Sequence, residues 1–85
     1  MSLSPTSITM ADAGEALRAG LDTIARGETV VDLSRLASFD SSAVSAILAW
    51  RRAAAQRGAR LQLARVPAGL HSLAQLYGVQ DFLAA

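Results

Sequence analysis

The sequence predicts a small α/β domain in which helices cover a mostly parallel sheet of three to four strands. The first observation behind this prediction is that segments of strand and helix character alternate along the chain. The second is composition: hydrophobic residues make up 52% of the 85 residues, aromatic residues only 5%, and alanine is the commonest residue. This composition favours close-packed helices over an all-β sandwich. The length predicts one domain over residues 1–85.

The first strand is predicted at residues 7–10 and the first helix at residues 12–26. Pro5 precedes this strand, and a proline, which has no N–H to donate, marks a sheet edge or a strand start. Asp12 is the expected N-cap of the helix, with Glu15 three residues later as in a capping box. Apolar residues recur at helical spacing along one face of this helix: Ala13, Leu17, Leu21 and Ile24.

The middle of the chain carries a clear strand and the longest helix. Residues 28–33 form a continuous run rich in β-branched residues, which is typical of a strand in a sheet covered on both faces. Residues 34–39 are predicted to connect this strand to a helix over residues 40–57, with Leu36 and Phe39 as apolar anchors. One stripe of this helix is apolar at helical spacing: Val44, Ile47, Leu48, Ala54 and Ala55.

The last third of the chain predicts a third strand and a third helix. Residues 60–66 alternate in polarity, which indicates a strand nearer the edge of the sheet. Pro67 then opens a helix, since proline is favoured in a first helical turn. The predicted buried face of that helix comprises Leu70, Leu73, Ala74 and Tyr77. Residues 79–85 form a short tail with three docking residues, Val79, Phe82 and Leu83.

Charge and rare residue types exclude several classes of function. The formal net charge is +1, so no electrostatic case exists for nucleic-acid binding. The chain has no cysteine and a single histidine, His71, so we expect no metal and no cofactor. No apolar run approaches the roughly 20 residues that span a bilayer. Residues 1–10 lack the features of a signal peptide, so we expect a cytoplasmic protein without membrane insertion.

Catalytic motifs are also missing from the sequence. The glycines are dispersed, so there is neither a Walker loop nor a GxGxxG fingerprint. Asp40, Ser41 and His71 supply the residue types of a hydrolytic triad, but no GxSxG elbow surrounds the serine. We therefore expect a protein that is not an enzyme.

One polar cluster stands out at the start of the longest predicted helix: Asp40, Ser41 and Ser42. It follows the second strand, and the carboxyl ends of parallel strands are where ligands and partners bind. Two interpretations remain open. Asp40 or Ser41 is only the N-cap of the helix, or Ser41 is a regulated hydroxyl whose phosphate would meet the free N–H groups and positive dipole end of the helix.

Around this cluster the sequence resembles the STAS domain family, which includes the anti-sigma-factor antagonists. The resemblance rests on residues 30–44, VVDLSRLASFDSSAV, where a strand and an apolar-spaced loop precede Asp-Ser-Ser at the start of a helix. Residues 58–63, GARLQL, match the family's step from glycine to strand. Residues 72–79, SLAQLYGV, are similar to a Leu-Tyr segment of the MlaB-like branch, the STAS subunits of bacterial phospholipid-transport ABC systems.

The resemblance implies a binding role for residues 40–42. It places the phosphoacceptor or partner-contact hydroxyl at Ser41, with Asp40 and Ser42 shaping the loop and helix start. In MlaB-like proteins this edge docks the cytoplasmic ATPase subunit, and in the antagonists it docks an anti-sigma kinase. The resemblance therefore implies a non-catalytic module that binds and regulates a transport ATPase. The alternative is an anti-sigma-factor antagonist switched by phosphorylation of Ser41.

Two features depart from the family pattern. Family members usually have an extra N-terminal strand before the first helix, and this chain is shortened there. The shortening leaves room for a homodimer through an exposed sheet edge or a helix. Arg51 falls on the apolar stripe of the long helix, where it either extends to solvent at the helix end or pairs with Asp22 or Asp81.

Three further residues are candidates for an interface. Arg35 is an ordinary surface charge or pairs with a phosphate on Ser41. Trp50 is half-buried core or an exposed partner anchor of the kind enriched at hot spots. Tyr77 is expected in the core with its hydroxyl at the rim, and its match to the Leu-Tyr segment also makes it an interface candidate.

Overall fold

A computed structural model describes residues 3–79 of the chain, so the predicted docking residues Phe82 and Leu83 lie outside the described residues. Strands and helices alternate, which confirms the predicted α/β class. In chain order the elements are β1 (Ser7–Ile8), α1 (Ala13–Ala25), β2 (Val30–Asp32), β3 (Ser38–Phe39), α2 (Ser41–Gln56), β4 (Gln62–Ala64) and α3 (Ala68–Leu76).

The strands pair in parallel. β2 pairs with β4, with Val31 opposite Leu63, and β1 pairs with β3, with Ile8 opposite Phe39. The described strands thus form two two-stranded sheets where the sequence predicts one of three to four strands, and a parallel bridge between Leu3 and Val31 joins them into one layer by continuing the N-terminal segment alongside β2. The N-terminal segment thus follows first β2 and then β3, while β4 lies on the other side of β2.

The strand β3 lies in the stretch that the sequence predicts as a connection, so that prediction is wrong at its end. A turn in which the N–H of Leu36 donates to the Leu33 carbonyl over 3.2 Å separates β3 from β2. The chain then rejoins the N-terminal segment, where the Thr6 carbonyl accepts from the N–H of Ala37 over 2.9 Å. A two-residue strand after a turn has no periodicity of its own, which is why the sequence did not indicate it.

The sheet buries one face against the helices. The inward side chains are aliphatic and buried: Ile8, Val31, Leu33, Leu61 and Leu63. The alternate residues Val30 and Gln62 are exposed, because successive side chains of a strand point to opposite faces. Within residues 3–79 the sheet is therefore covered on one face only, which corrects the expectation of a sheet covered on both faces.

The helices α1 and α2 pack together around Trp50. Its side chain has no exposed surface, and its indole N–H donates to the Leu17 carbonyl over 3.1 Å. The ring lies against Gly20, where an added Cβ would overlap it. Trp50 is therefore a core residue, and its expected alternative role as an exposed partner anchor is wrong because this contact encloses the ring.

The buried face of α1 is rotated from the predicted one. Gly20, Thr23 and Ile24 are buried, whereas Leu21 is 37% exposed although it was predicted to face the core. The close approach of Gly20 to Trp50 decides which face meets α2, and residue hydrophobicity alone does not reveal that approach.

The start of α1 also differs from the prediction. Asp12 occupies the N-cap position, but its side chain makes no capping hydrogen bond to the helix, so the predicted capping box with Glu15 is absent. The Asp12 carboxylate instead accepts from the N–H of Thr9 and from the hydroxyl of Ser7, each over 2.6 Å. It therefore closes the turn before the helix.

The helix α2 lies within the predicted range. In its predicted apolar stripe Val44, Ile47 and Ala54 are buried and Leu48 is half-buried. Ala55 is exposed, so the prediction is wrong at that end of the stripe. α3 packs beside α2.

The helix α3 begins directly after Pro67 and buries Leu70 and Ala74. Tyr77 is 58% exposed, which corrects its predicted place in the core. The reason is that α3 ends one residue earlier, so Tyr77 is the C-cap, and Gly78 turns the chain with φ of +69°.

The contact between Gly20 and Trp50 makes a stability prediction. We expect Gly20→Ala to lower the free energy of unfolding by about 1–3 kcal/mol, because a methyl group has no space beside the rigid indole. Gly14→Ala in the same helix meets nothing within 4 Å and should raise it by about 0.5–1 kcal/mol. Urea denaturation of both variants measures the two effects. Equal effects would contradict this account of the packing.

Candidate functional site

Asp40 fixes the start of α2. Its backbone is extended, with φ of −141°, and its side chain accepts from the N–H of Ser42 over 2.8 Å. This is the geometry of a helix N-cap, in which a carboxylate oxygen satisfies one of the N–H groups of the first turn. Of the two residues that the sequence allowed as the cap, the structure selects Asp40.

The same carboxylate ties α2 to the turn after β1. Its second oxygen accepts from the N–H of Met10 over 2.9 Å, one residue beyond the N–H of Thr9 that Asp12 binds. Two carboxylates on different parts of the chain therefore hold adjacent backbone groups of one turn. The arrangement fixes the position of the first turn of α2 relative to the N-terminal part of the chain.

Hydrogen bonding keeps both carboxylates ionised. The N–H of Met10, and next the N–H of Ser42, lower the pKa of Asp40 below its ordinary value, and the negative charge of Asp12 opposes this shift. The Ser7 hydroxyl and the Thr9 N–H lower the pKa of Asp12. Each bond favours the charged form of the carboxylate that accepts it.

Because Asp40 provides the cap, the hydroxyl of Ser41 is left for other contacts. Within residues 3–79 it makes no hydrogen bond, and the residue is half-buried. It lines a shallow depression of about 300 Å³ between α2 and the end of α3, together with Val44, Ser45, Leu48, Tyr77 and Val79. The structure therefore brings together Ser41 and Tyr77, two residues predicted from separate parts of the sequence.

Ser42 faces the other side of α2. It lines a depression of about 220 Å³ towards α1, together with Ala13, Gly14, Leu17, Ser45 and Ala46. Ser45 borders both depressions and forms the ridge between them. The start of α2 thus presents small hydroxyl residues flanked by two mainly apolar hollows.

Arg35 belongs to a different polar group. Asp32, at the end of β2, accepts from the N–H of Ser34 over 2.9 Å and lies 3.8 Å from the guanidinium of Arg65. The Ser34 hydrogen bond is the largest cause that lowers the pKa of Asp32, and the charges of Arg65 and Arg35 contribute. Arg35 is exposed, and its pairing with a phosphate on Ser41 stays a prediction.

Two residues that line this depression, Ser45 and Val79, were not predicted for the site, and Leu48 was expected only in the core. The signal that could have found two of them is helical spacing, since Ser45 and Leu48 follow Ser41 by four and seven residues and share its face. Val79 has no such signal, because its place depends on how α3 packs on α2.

Residues 3–79 hold no group of three or more histidine, cysteine, aspartate or glutamate residues placed to bind a metal ion. No helix in this part of the chain has both the length and the apolar character needed to cross a membrane.

Comparison with known families decides the identity of the fold. The family model described as "Mlab, STAS domain" matches residues 6–84, nearly the whole chain. The chain belongs to the STAS domain family, in its MlaB type. The resemblance seen in the sequence is thereby confirmed. Searches of curated proteins and of solved structures gave no match.

Membership supports a binding role for this MlaB-type STAS domain. STAS domains are generally non-catalytic and generally act through protein–protein interaction. A surface of hydroxyl groups beside shallow apolar hollows is suited to a protein partner, because both hollows are open depressions and not enclosed cavities.

The two hydrogen-bonding roles of Asp40 predict how the unfolding temperature depends on pH. We expect Asp40→Ala to lower the unfolding temperature at pH 7 more than Asp40→Asn, because asparagine still caps a helix. The folded-state pKa of Asp40 is lowered, so its contribution is present at neutral pH and is lost as pH falls below about 4. The difference between wild type and Asp40→Asn should therefore shrink at pH 3.

Thermal unfolding followed by circular dichroism at pH 7 and pH 3 measures this difference. Asp22→Asn is the matched control, since it removes the same charge from an exposed position of α1 and should change little at either pH. A difference between wild type and Asp40→Asn that stays constant with pH would contradict the assignment.

Proposed function

We propose that this chain is a non-catalytic cytoplasmic module that docks on and regulates the ATPase subunit of a phospholipid-transport ABC system. The observation that carries the proposal is the Ser41 hydroxyl, which has no hydrogen-bond partner within residues 3–79 and borders an apolar hollow with Tyr77. The MlaB type of the family supports this choice of partner.

The surface around Ser41 has the parts of a protein interface. Tyr77 is 58% exposed, and tyrosine is enriched among the residues that carry most of the binding energy at interfaces. Val44 is buried and Leu48 half-buried, so the floor of the hollow is apolar and firm. A partner side chain that fills the hollow would lose water from both surfaces and would bring a polar group to Ser41.

Docking at this place regulates the partner by linkage. A protein that binds only the folded or assembled form of its partner stabilises that form. The start of α2 is held by Asp40 to the turn after β1, so the binding surface is largely formed before the partner arrives. Preorganisation of this kind lowers the entropic cost of association.

A phosphorylation-switched antagonist draws no support from the family match, which is to the MlaB type. The Ser41→Glu variant tests the site in either role, because added charge disturbs the binding surface whichever partner is present. Glutamate at this position stays compatible with folding, since acidic side chains are favourable in a first helical turn.

We expect Ser41→Glu to weaken binding to the transporter's ATPase subunit by about tenfold or more, the effect of a buried and unpaired charge at an interface. Binding is measured by calorimetry with the purified ATPase subunit, together with the rate of ATP hydrolysis. Ser72→Glu, at an exposed position of α3 that lines neither hollow, should bind as wild type does.

Equal affinity of Ser41→Glu and wild type would mean that Ser41 is only part of the helix start. Absence of binding by the wild type would remove the ATPase as the partner. The chain alone should hydrolyse no ATP, and turnover without a partner would overturn the non-catalytic role.

A further inference from the structure

Acidic and basic residues are unevenly distributed along the chain. Before the start of α2 the sequence has three arginines and six acidic residues: Asp12, Glu15, Asp22, Glu28, Asp32 and Asp40. From residue 41 to residue 79 it has no acidic residue and five arginines: Arg51, Arg52, Arg57, Arg60 and Arg65. The part of the chain that contains α2, β4 and α3 therefore carries formal charges of one sign, which the net charge of +1 conceals.

The hollow beside Ser41 does not end at Leu48. A second depression of about 380 Å³ is lined, among residues 3–79, by Leu48, Arg51, Arg52 and Ala55, so Leu48 is shared by the two. We call the joined depressions the α2 groove. Fourteen residues separate Ser41 from Ala55, which at 1.5 Å per residue makes the groove about 20 Å long.

The α2 groove changes character along its length. Ser41 and Ser45 line one end, Leu48 with Tyr77 and Val79 lines the middle, and Arg52 lines the other end. Arg52 is exposed and makes no ion pair within residues 3–79. A ligand that follows the groove thus meets hydroxyl groups, then an apolar centre, then a positive charge.

We propose that the α2 groove receives a helix of the ATPase subunit that carries an apolar face and, at the end over Arg52, an acidic side chain. The inference rests on the proposed function and specifies the chemistry of the partner. The groove follows α2 for about four helical turns, which fits a helix laid along it. A carboxylate is the complement of Arg52, which is exposed at this end of the groove, and arginine binds carboxylates through two parallel hydrogen bonds.

The observations favour a protein helix over an anionic membrane or a second copy of the chain. The remaining exposed arginines, Arg57, Arg60 and Arg65, do not line the groove, whereas a membrane surface would use such charges together. A second copy could offer acidic residues of its α1, but these stand on an exposed helix face that includes Arg18.

The test is binding of the purified ATPase subunit to wild type, Arg52→Glu and Arg60→Glu. Arg60 is exposed and carries the same charge outside the groove, which makes it the matched control. We expect Arg52→Glu to weaken binding about tenfold or more and Arg60→Glu to weaken it less than about threefold. Raising the salt from 50 to 300 mM should weaken wild-type binding more than that of Arg52→Ala.

Rescue identifies the partner residue. Replacing the acidic residue of the ATPase helix by arginine should restore binding of Arg52→Glu and weaken binding of the wild type. If Arg52→Glu binds as Arg60→Glu does while Ser41→Glu is impaired, the groove inference is wrong and the proposed function stands. If wild type does not bind the ATPase subunit, both are wrong.

The same variants also test the two other possible occupants of the α2 groove, a second copy of the chain and an anionic membrane. Sedimentation of the wild type alone detects a second copy, and flotation with vesicles containing anionic phospholipid detects a membrane. Self-association or vesicle binding that is lost in Arg52→Glu and kept in Arg60→Glu would assign the α2 groove to that occupant and overturn the helix proposal.

Discussion

The contact of Trp50 with Gly20 is the constraint on which the rest of the arrangement depends. The chain has one tryptophan, and it is wholly enclosed where α1 meets α2. Only a glycine allows the ring to lie so close to the backbone of α1, and the indole N–H satisfies the Leu17 carbonyl at the same time. The contact fixes the distance and the rotation of the two helices. It thereby brings the start of α1 beside the start of α2, where Leu17 borders the hollow that Ser42 lines.

A second constraint acts at the end of α2 that carries the site. Asp40 uses one oxygen to cap the helix and the other to hold Met10, so the first turn of α2 is fixed from within the helix and from the N-terminal part of the chain. This division of roles explains why Ser41 and Ser42 differ. The N–H of Ser42 is used by the cap, whereas the hydroxyl of Ser41 stays available at the rim of the α2 groove. The helix cap and the proposed binding site are therefore neighbouring residues with separate tasks.

The sequence predicts the parts of this molecule whose causes are local. The three helices, the cluster at residues 40–42 and the family follow from spacing, capping residues and motif. What the sequence does not reveal depends on contacts between distant residues. Leu21 and Tyr77 were predicted in the core because both are large and have the helical spacing of buried residues. Leu21 is exposed because the contact of Gly20 with Trp50 rotates α1, and Tyr77 is exposed because α3 ends before it. The strand β3 forms because the Thr6 carbonyl of the N-terminal segment accepts a hydrogen bond from the N–H of Ala37. A segment of two residues has no periodicity from which this pairing could be predicted.

The charge distribution shows how a property of the whole sequence can hide a property of a surface. A net charge of +1 alone gives no indication that electrostatics contributes to binding. The same balance arises when six of the seven acidic residues, with three arginines, precede α2 and the other five arginines lie in residues 41–79. In the proposed complex, a partner that docks along α2 approaches Arg52, so the charge of the local surface contributes to steering it. Under the proposal, the contribution of Arg52 to binding depends on its place at the end of the α2 groove, because an apolar contact at Leu48 and Tyr77 would hold a partner carboxylate within its reach.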